Sequence, residues 1–539
     1  MNNPFRSMAV ERVPSFHHEH QSYRWWVLGN VLITTFMAVL ESTVVNTALP
    51  SMQNSFGTSL DIIEWVLTAF NLVFAVVLPL SGWLADKIGY KRTFFLSLML
   101  FTLGSFACSF AWNEEVLIFF RVIQGIGGGM IQPVGMAIVT REFPPQQRGM
   151  AMGFYGIAAA ASISIGPSLG GYLTDTFGWS SVFLINVPFG ILGMVATVLI
   201  QREYKKADVG PFDFWGFSAI AVFLVSLLLA LADGNAGWNN GGWTSPFILT
   251  CFTIAAVSLL CFFVIELTTE HPIIDLKLFT EWNFGMSSLM LFMIGILLMG
   301  STFVMPLYLQ GTLGYTALQS GLLFLPLGLI QGIASPITGI LSDKIGPKIP
   351  ATVGVLVLVV SFGLNTLMTS EPPFWLLMLP ICLRGVGFGL LFISLQSVSI
   401  TSLPREKMAQ GSGMIALTRQ IGASFGVAVF GSILTQRNTF HTAMLGEGVD
   451  SSSEAFRTVT GQLQNTIFGD GGQSSGAASN LSRVAVTQQL GVQSFVQSID
   501  DLFFIVAATT LVCLIPILAL RAIKKAPVSG GVPRPTIVE

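Results

Sequence analysis

Fourteen apolar stretches recur along this chain, at 25–49, 62–83, 93–112, 115–139, 150–174, 181–200, 213–232, 246–266, 284–308, 319–341, 350–370, 374–401, 411–435 and 500–522. An α-helix needs roughly 20 apolar residues to cross the hydrocarbon core of a bilayer. In lipid every backbone N–H and C=O must be satisfied within the spanning element, so apolar runs of this length cross as helices. The expected fold is therefore all-α and polytopic, with fourteen transmembrane helices. Composition agrees, with 52% hydrophobic and 10% charged residues where a soluble domain carries roughly 25% charged. A net charge of −2 offers nothing to nucleic acid. The five cysteines all fall in apolar segments without a CxxC pair, which gives neither a disulfide framework nor a zinc site.

Lys and Arg orient the spans, because short cytoplasmic loops hold an excess of them. Arg6, Arg12 and Arg24 precede span 1; Lys87, Lys91 and Arg92 follow span 2; Arg141 and Arg148 follow span 4; Arg202, Lys205 and Lys206 follow span 6. Lys277, Lys344 and Lys348, Arg405 and Lys407, and finally Arg521, Lys524, Lys525 and Arg534 continue the alternation on the same side. The opposite side has only Arg437, Arg457 and Arg483, all in one long loop. Both termini are thus expected in the cytoplasm of a protein of the cell inner membrane. The N-terminal tail, with His17, His18 and His20, lacks the ordered regions of a signal peptide. It reads as a solvated tail with no metal role, and span 1 as an uncleaved signal.

The chain repeats itself. "PLSGWLADKIGYK" (79–91) and "PITGILSDKIGPK" (336–348) match at eight of thirteen positions, each at the cytoplasmic end of a span. "RVIQGIGGG" (121–129) and "RGVGFG" (384–389) echo one another in spans 4 and 12. The expected organisation is a cytoplasmic tail (1–24), an N-terminal six-helix half (25–201) and a linker with helices 7 and 8 (202–283). A C-terminal six-helix half (284–523) with an extracytoplasmic loop (436–498) and a second tail (524–539) complete it.

These strings also carry a resemblance. "GWLADKIGYKR" resembles the cytoplasmic loop signature of the major facilitator superfamily, and "RVIQGIGGG" its fourth-helix motif. "SISIGPSLGGYL" (162–173) resembles the fifth-helix motif of its antiporters. "LESTVVNTALP" (40–50), "FLINVPFG" (183–190), "FDFWGF" (212–217) and "TRQIGASFGVAV" (418–429) are similar to the fourteen-span drug/proton antiporters, the group of the EmrB and QacA pumps. The long loop after span 13 looks closer to EmrB. The resemblance implies parallel halves around a midplane substrate site.

Single residues then acquire expectations. Glu41 is an acid inside span 1, and a charge there costs at least ~2.5 kcal/mol. It is read as the main protonatable group of the cavity, one methylene longer than the family's usual Asp and able to reach further into the cavity, toward Arg121 or directly to a cationic substrate. Arg121 is either a structural Arg on backbone carbonyls or, as the resemblance implies, part of proton coupling. Gly82, Asp86, Gly89, Lys91 and Arg92, with Gly339, Asp343, Gly346 and Lys348, form either a topology signal or a cytoplasmic latch between the halves. Gly166, Pro167, Gly170 and Gly171 read first as a small-residue packing face; the resemblance makes them the antiporter motif. Ser162, where the family has Gly, predicts a looser contact. Asn46, Arg384 and Arg419 are candidate cavity residues, with a structural role for both arginines an equal reading.

Two G-x-S-x-G strings, 166–170 and 422–426, mimic a nucleophile elbow, but that elbow needs a strand-turn-helix context and a nearby His. No Walker A or H-E-x-x-H string occurs, so an enzyme is not expected. Trp238 and Trp243 read as interface anchors. Loop 436–498 reads as a flexible linker or a docking site. The expected function is proton-coupled efflux of lipophilic, drug-like small molecules, with no cofactor beyond the proton gradient. A narrower substrate, or a non-transporting sensor, is the alternative. The EmrB resemblance implies a periplasmic membrane-fusion adaptor and an outer-membrane TolC-type channel as partners. With no second acid in span 10, divalent cations are the least expected substrates.

Overall fold

The computed structural model describes residues 22–144, 147–205, 209–234, 236, 238, 239, 241–270, 272–404, 407–447, 458 and 475–521. Tail residues 1–21, including the three histidines, and 522–539 lie outside the described residues, as do most of 448–474 and the side chains of Asp343 and Arg483.

Fourteen long helices run through the described residues: α1 (Tyr23–Phe56), α2 (Trp65–Ile88), α3 (Tyr90–Ser109), α4 (Glu114–Glu142), α5 (Arg148–Phe177), α6 (Asn186–Ile200), α7 (Phe214–Asp233), α8 (Pro246–Thr268), α9 (Trp282–Gly311), α10 (Ala317–Ile345), α11 (Lys348–Leu364), α12 (Phe374–Thr401), α13 (Met408–Glu447) and α14 (Ser475–Val512, continued by Leu514–Ala519). They coincide with the fourteen apolar segments in order. Two depart in length. The expected loop 436–498 is largely helix, because α13 runs to Glu447 and α14 starts at Ser475. Both continue as polar helix past the length that a ~30 Å core requires.

The sequence repeat is a repeat of packing. α1 lies on α5, α2 on α4, α3 on α4 and α6; in the second half α9 lies on α13, α10 on α12, α11 on α12 and α14. The halves meet along two seams, α5 against α10 and α2 against α13. The inserted helix α8 packs on α7, and α7 lies against α2 and α13. The Trp243 indole N–H donates to Ser432 Oγ of α13 at 2.9 Å, tying the insertion to the second half.

Local rules explain the two loop copies. Gly89 and Gly346 end α2 and α10 with φ of 107° and 88°, a region that favours glycine. A Cβ on Gly89 would also sit 2.2 Å from Glu203 Oε1. The Glu203 carboxylate accepts from the backbone N–H groups of Lys91 (3.1 Å) and Arg92 (3.3 Å). It thereby caps the positive N-terminal end of α3, and Arg92 Nε reaches it at 3.7 Å. Asp86 accepts from the Tyr90 hydroxyl at 3.0 Å. Lys91 Nζ donates to Val198 O (2.8 Å) and Lys348 Nζ to Leu518 O (2.6 Å). Each lysine thus ties its loop to the last helix of its own half.

Candidate functional site

Two polar features sit in the membrane core. The first is inside the N-terminal half. Glu41, on α1, has a side chain with no exposed surface. Arg121 Nη1, from α4, donates to Glu41 Oε1 and also to Gln124 Oε1 at 2.7 Å. Asn186 Nδ2, at the start of α6, donates to Glu41 Oε2 at 2.5 Å. Arg121 Nε donates to Val66 O of α2 at 2.9 Å, and its guanidinium lies 4.1 Å from the Phe70 ring centroid. Gln124 Nε2 donates in turn to Ser105 Oγ of α3 at 2.6 Å. Five helices therefore converge on one carboxylate. A buried charge is tolerable when paired and hydrogen-bonded in this way.

The antiporter-like motif holds this acid from behind. A Cβ at Gly166 would stand 1.9 Å from Thr43 Oγ1, and one at Gly170 would stand 2.3 Å from Thr47 Oγ1 and 2.8 Å from Val44 O. Those glycines let α5 close on the segment of α1 that carries Glu41. Gly171 faces open space, and Pro167 lies within α5. Ser162 does not loosen the contact: it is fully buried and donates to Phe36 O of α1 at 2.8 Å. The polar hydroxyl restores by hydrogen bonding what the missing glycine would give by approach.

The second feature is a cavity between the halves. Ala38, Val39 and Ser42 of α1, with residues of α2, α4 and α5, form one wall, and residues of α9, α10, α12 and α13 form the other. Its space, measured for the centre of a water-sized sphere, is about 130 Å³. That is small beside the ~300–1,000 Å³ of sites for drug-sized ligands. The end with the repeated loops is shut: Ser412 Oγ of α13 donates to Pro133 O of α4 at 3.0 Å, and a Cβ at Gly339 would lie 2.1 Å from Gly149 O. Toward the other end Ser42, Asn46 and Asn71 are exposed while Leu78 and Ser81 are buried.

Of the three cavity candidates, Arg419 is on the wall. Asn46 lies one turn beyond Ser42, exposed, its amide donating to Ser42 O at 3.3 Å. Arg384 does not line the cavity. It is fully buried against Phe362 of α11 and Phe503 of α14, at 4.9 and 5.6 Å, on the outer side of its half. This repeats the placing of Arg121 in the first half. Glu41 is one residue from cavity-lining Ser42 but points into its own half. Gln124, Asn186 and Ser105 were not singled out from the sequence. A polar side chain inside an apolar span was the available signal.

Among the described residues, long apolar helices in two similar halves around a shared cavity have the architecture of a multi-pass membrane transporter. The family model of the Major Facilitator Superfamily matches residues 31–427, and the chain belongs to that family; it is a secondary transporter and not an enzyme. It is 31% identical over 486 residues to the multidrug export protein EmrB of Escherichia coli strain K12, covering 89% of this chain and 92% of that one. It is 32% identical over 411 residues to a multidrug resistance protein B homolog of Mycobacterium tuberculosis H37Rv, covering 76% and 75%. The crystal structure of the human organic anion transporter MFSD10 has the same fold, with a TM-score of 0.59 at 15% identity over 92% of this chain and 99% of that one.

Proposed function

We propose that this protein is a proton-coupled multidrug efflux antiporter that exports lipophilic compounds across the inner membrane by alternating access. The observation that carries the reading is Glu41: a carboxylate without exposed surface, paired with Arg121 and Asn186, on the helix whose next residue lines the cavity. The relative named a multidrug export protein supports the direction of transport, and its multidrug name, shared by the resistance protein B homolog, supports the breadth. In the proposed cycle the halves 25–201 and 284–523 rock about the α5–α10 and α2–α13 seams, and 202–283 rides with them. The repeated loops face the cytoplasm, as do both termini, so the form described here opens outward. Movement of α1 in that form brings Glu41 to water and to a proton. Protonation cancels the carboxylate charge, releases Arg121 to Gln124 and Val66 O, and favours the alternative arrangement of the halves. One site that prefers different occupants in two states then couples proton entry to substrate exit.

Glu41→Gln in proteoliposomes tests this. The amide keeps an acceptor for Arg121 but takes up no proton. The expected result is a folded protein whose dye efflux no longer responds to a pH gradient; undiminished gradient-driven efflux would sink the reading. Onward passage through a membrane-fusion adaptor and a TolC-type channel is a further part of the proposal, supported by the EmrB resemblance and by the polar helix of α13 and α14 that extends past the membrane on that side. Co-purification with such an adaptor tests it.

A further inference from the structure

The cavity wall bears one formal charge. Arg419, from the first third of α13, donates through Nη2 to Gln132 Oε1 of α4 at 2.8 Å, across the gap between the halves. Its guanidinium stands 5.2 Å from the Phe392 ring centroid. Both partners are neutral. No Asp or Glu lines the cavity, and Arg419 makes no ion pair among the described residues. Glu41, the nearest acid along α1, has no exposed side-chain surface and is occupied by Arg121 and Asn186. The other polar groups on the wall are amides, a serine hydroxyl and the Tyr155 phenol. Gln331 adds a carbonyl oxygen, Oε1, buried and without a hydrogen-bond partner.

A guanidinium inside a membrane span is expensive unless an opposite charge or water meets it. Arg is also the side chain best suited to a planar or multi-oxygen anion, through paired donors. A cationic substrate would meet this charge with no carboxylate to offset it. We therefore propose that the cavity selects amphiphilic organic anions. The anionic head is held by Arg419, and an aromatic body lies among Phe70, Phe74 and Phe392. An N–H or O–H donor on the ligand, or a water it carries, satisfies Gln331. This rests on the efflux reading and names its substrate class. It also gives binding a mechanical effect, since an anion that takes Arg419 removes a bond joining the two halves.

The test uses three fluorescent probes with one pyrenylbutyl body, ending in a sulfonate, a hydroxyl or a trimethylammonium. They are loaded into proteoliposomes of the full chain, and gradient-driven efflux is followed. The wild type is expected to move the sulfonate at least about tenfold faster than the ammonium at equal subsaturating concentration, the scale of one charge-assisted contact. Arg419→Gln is expected to raise the KM for the sulfonate relative to that for the hydroxyl probe by about tenfold or more. Arg419→Lys should restore part of the sulfonate transport. An ammonium probe moved as fast as the sulfonate by the wild type overturns the proposal and leaves efflux standing. So does an Arg419→Gln protein that still moves the hydroxyl probe and handles sulfonate normally. If the wild type moves none of the three, the efflux reading itself fails. If Arg419→Gln does not fold, the wild-type preference decides alone.

Discussion

At the residue scale the first half offsets its buried membrane charges by pairing Glu41 with Arg121. Glu41 and Arg121 form a pair in which each is the other's only opposite charge among the described ion pairs. Removing one member of such a buried pair costs about 3–5 kcal/mol, because it strands the other. Arg121→Gln is therefore expected to lower unfolding stability in detergent by that amount. The double variant Glu41→Gln with Arg121→Gln should recover most of the loss, read as a coupling energy in a double-mutant cycle. The connection after α6 supplies a pH-dependent contact outside the membrane. The Tyr204 hydroxyl donates to Glu142 Oε1 at 2.9 Å. Burial first, and then the Glu142 charge, push its phenol up to about 12. The fold thus favours neutral Tyr204. Its contribution is fully present below the ordinary tyrosine value of about 10, and is lost as pH rises through about 12. Tyr204→Phe is expected to flatten the fall in melting temperature across that alkaline window.

At the scale of elements, glycines decide how close the helices come. Gly166 and Gly170 seat α5 on α1, and Gly422 and Gly426 seat α13 on α9, where a Cβ would stand 2.2 Å from Phe292 O and 2.3 Å from Ile296 O. The two G-x-S-x-G strings are thus the same packing device in the two halves. Sequence reading could reject them as nucleophile elbows without seeing that they are equivalent, because the partner backbone is far away along the chain. Gly339 does similar work across the α5–α10 seam. Its missing Cβ faces the backbone of Gly149, which cannot turn aside. Gly339→Ala is expected to force the seam open at the loop end, slow transport several-fold and leave thermal stability of each half nearly intact. Cross-linking across that seam, weakened in the variant, checks it. Helix existence and order were legible because apolar length alone sets them in lipid. The extents of α13 and α14 were not, since their outer turns are polar and lie beyond the apolar length that a bilayer sets.

At the scale of the whole molecule, the repeat is what the chain is built on. It was legible as two matching loops, and it returns as matched helix pairs, matched lysine anchors and matched buried arginines. The direction in which Glu41 points was hidden. Whether a side chain at a given turn of α1 faces the cavity or its own half depends on neighbours supplied by α4 and α6, and one-residue steps on a helix turn the side chain by ~100°. Arg419 was a candidate for the cavity from the sequence, but that it is the one charge on the wall was hidden until eight helices were brought around it. The long helix α13 joins these scales. Arg419 and Glu447 lie on one continuous rod, and at 1.5 Å per residue the distance between them is ~42 Å. That rod is a lever. A tilt of ~5° about the cavity carries its tip by about 4 Å, given that length. Spin labels at Met444 and Phe177, both exposed, should report a distance change of that order when the halves reorient, and no change in Glu41→Gln. The occupancy of a site in the middle of the membrane is thereby displayed on the surface, as a pointer displays the state of an instrument.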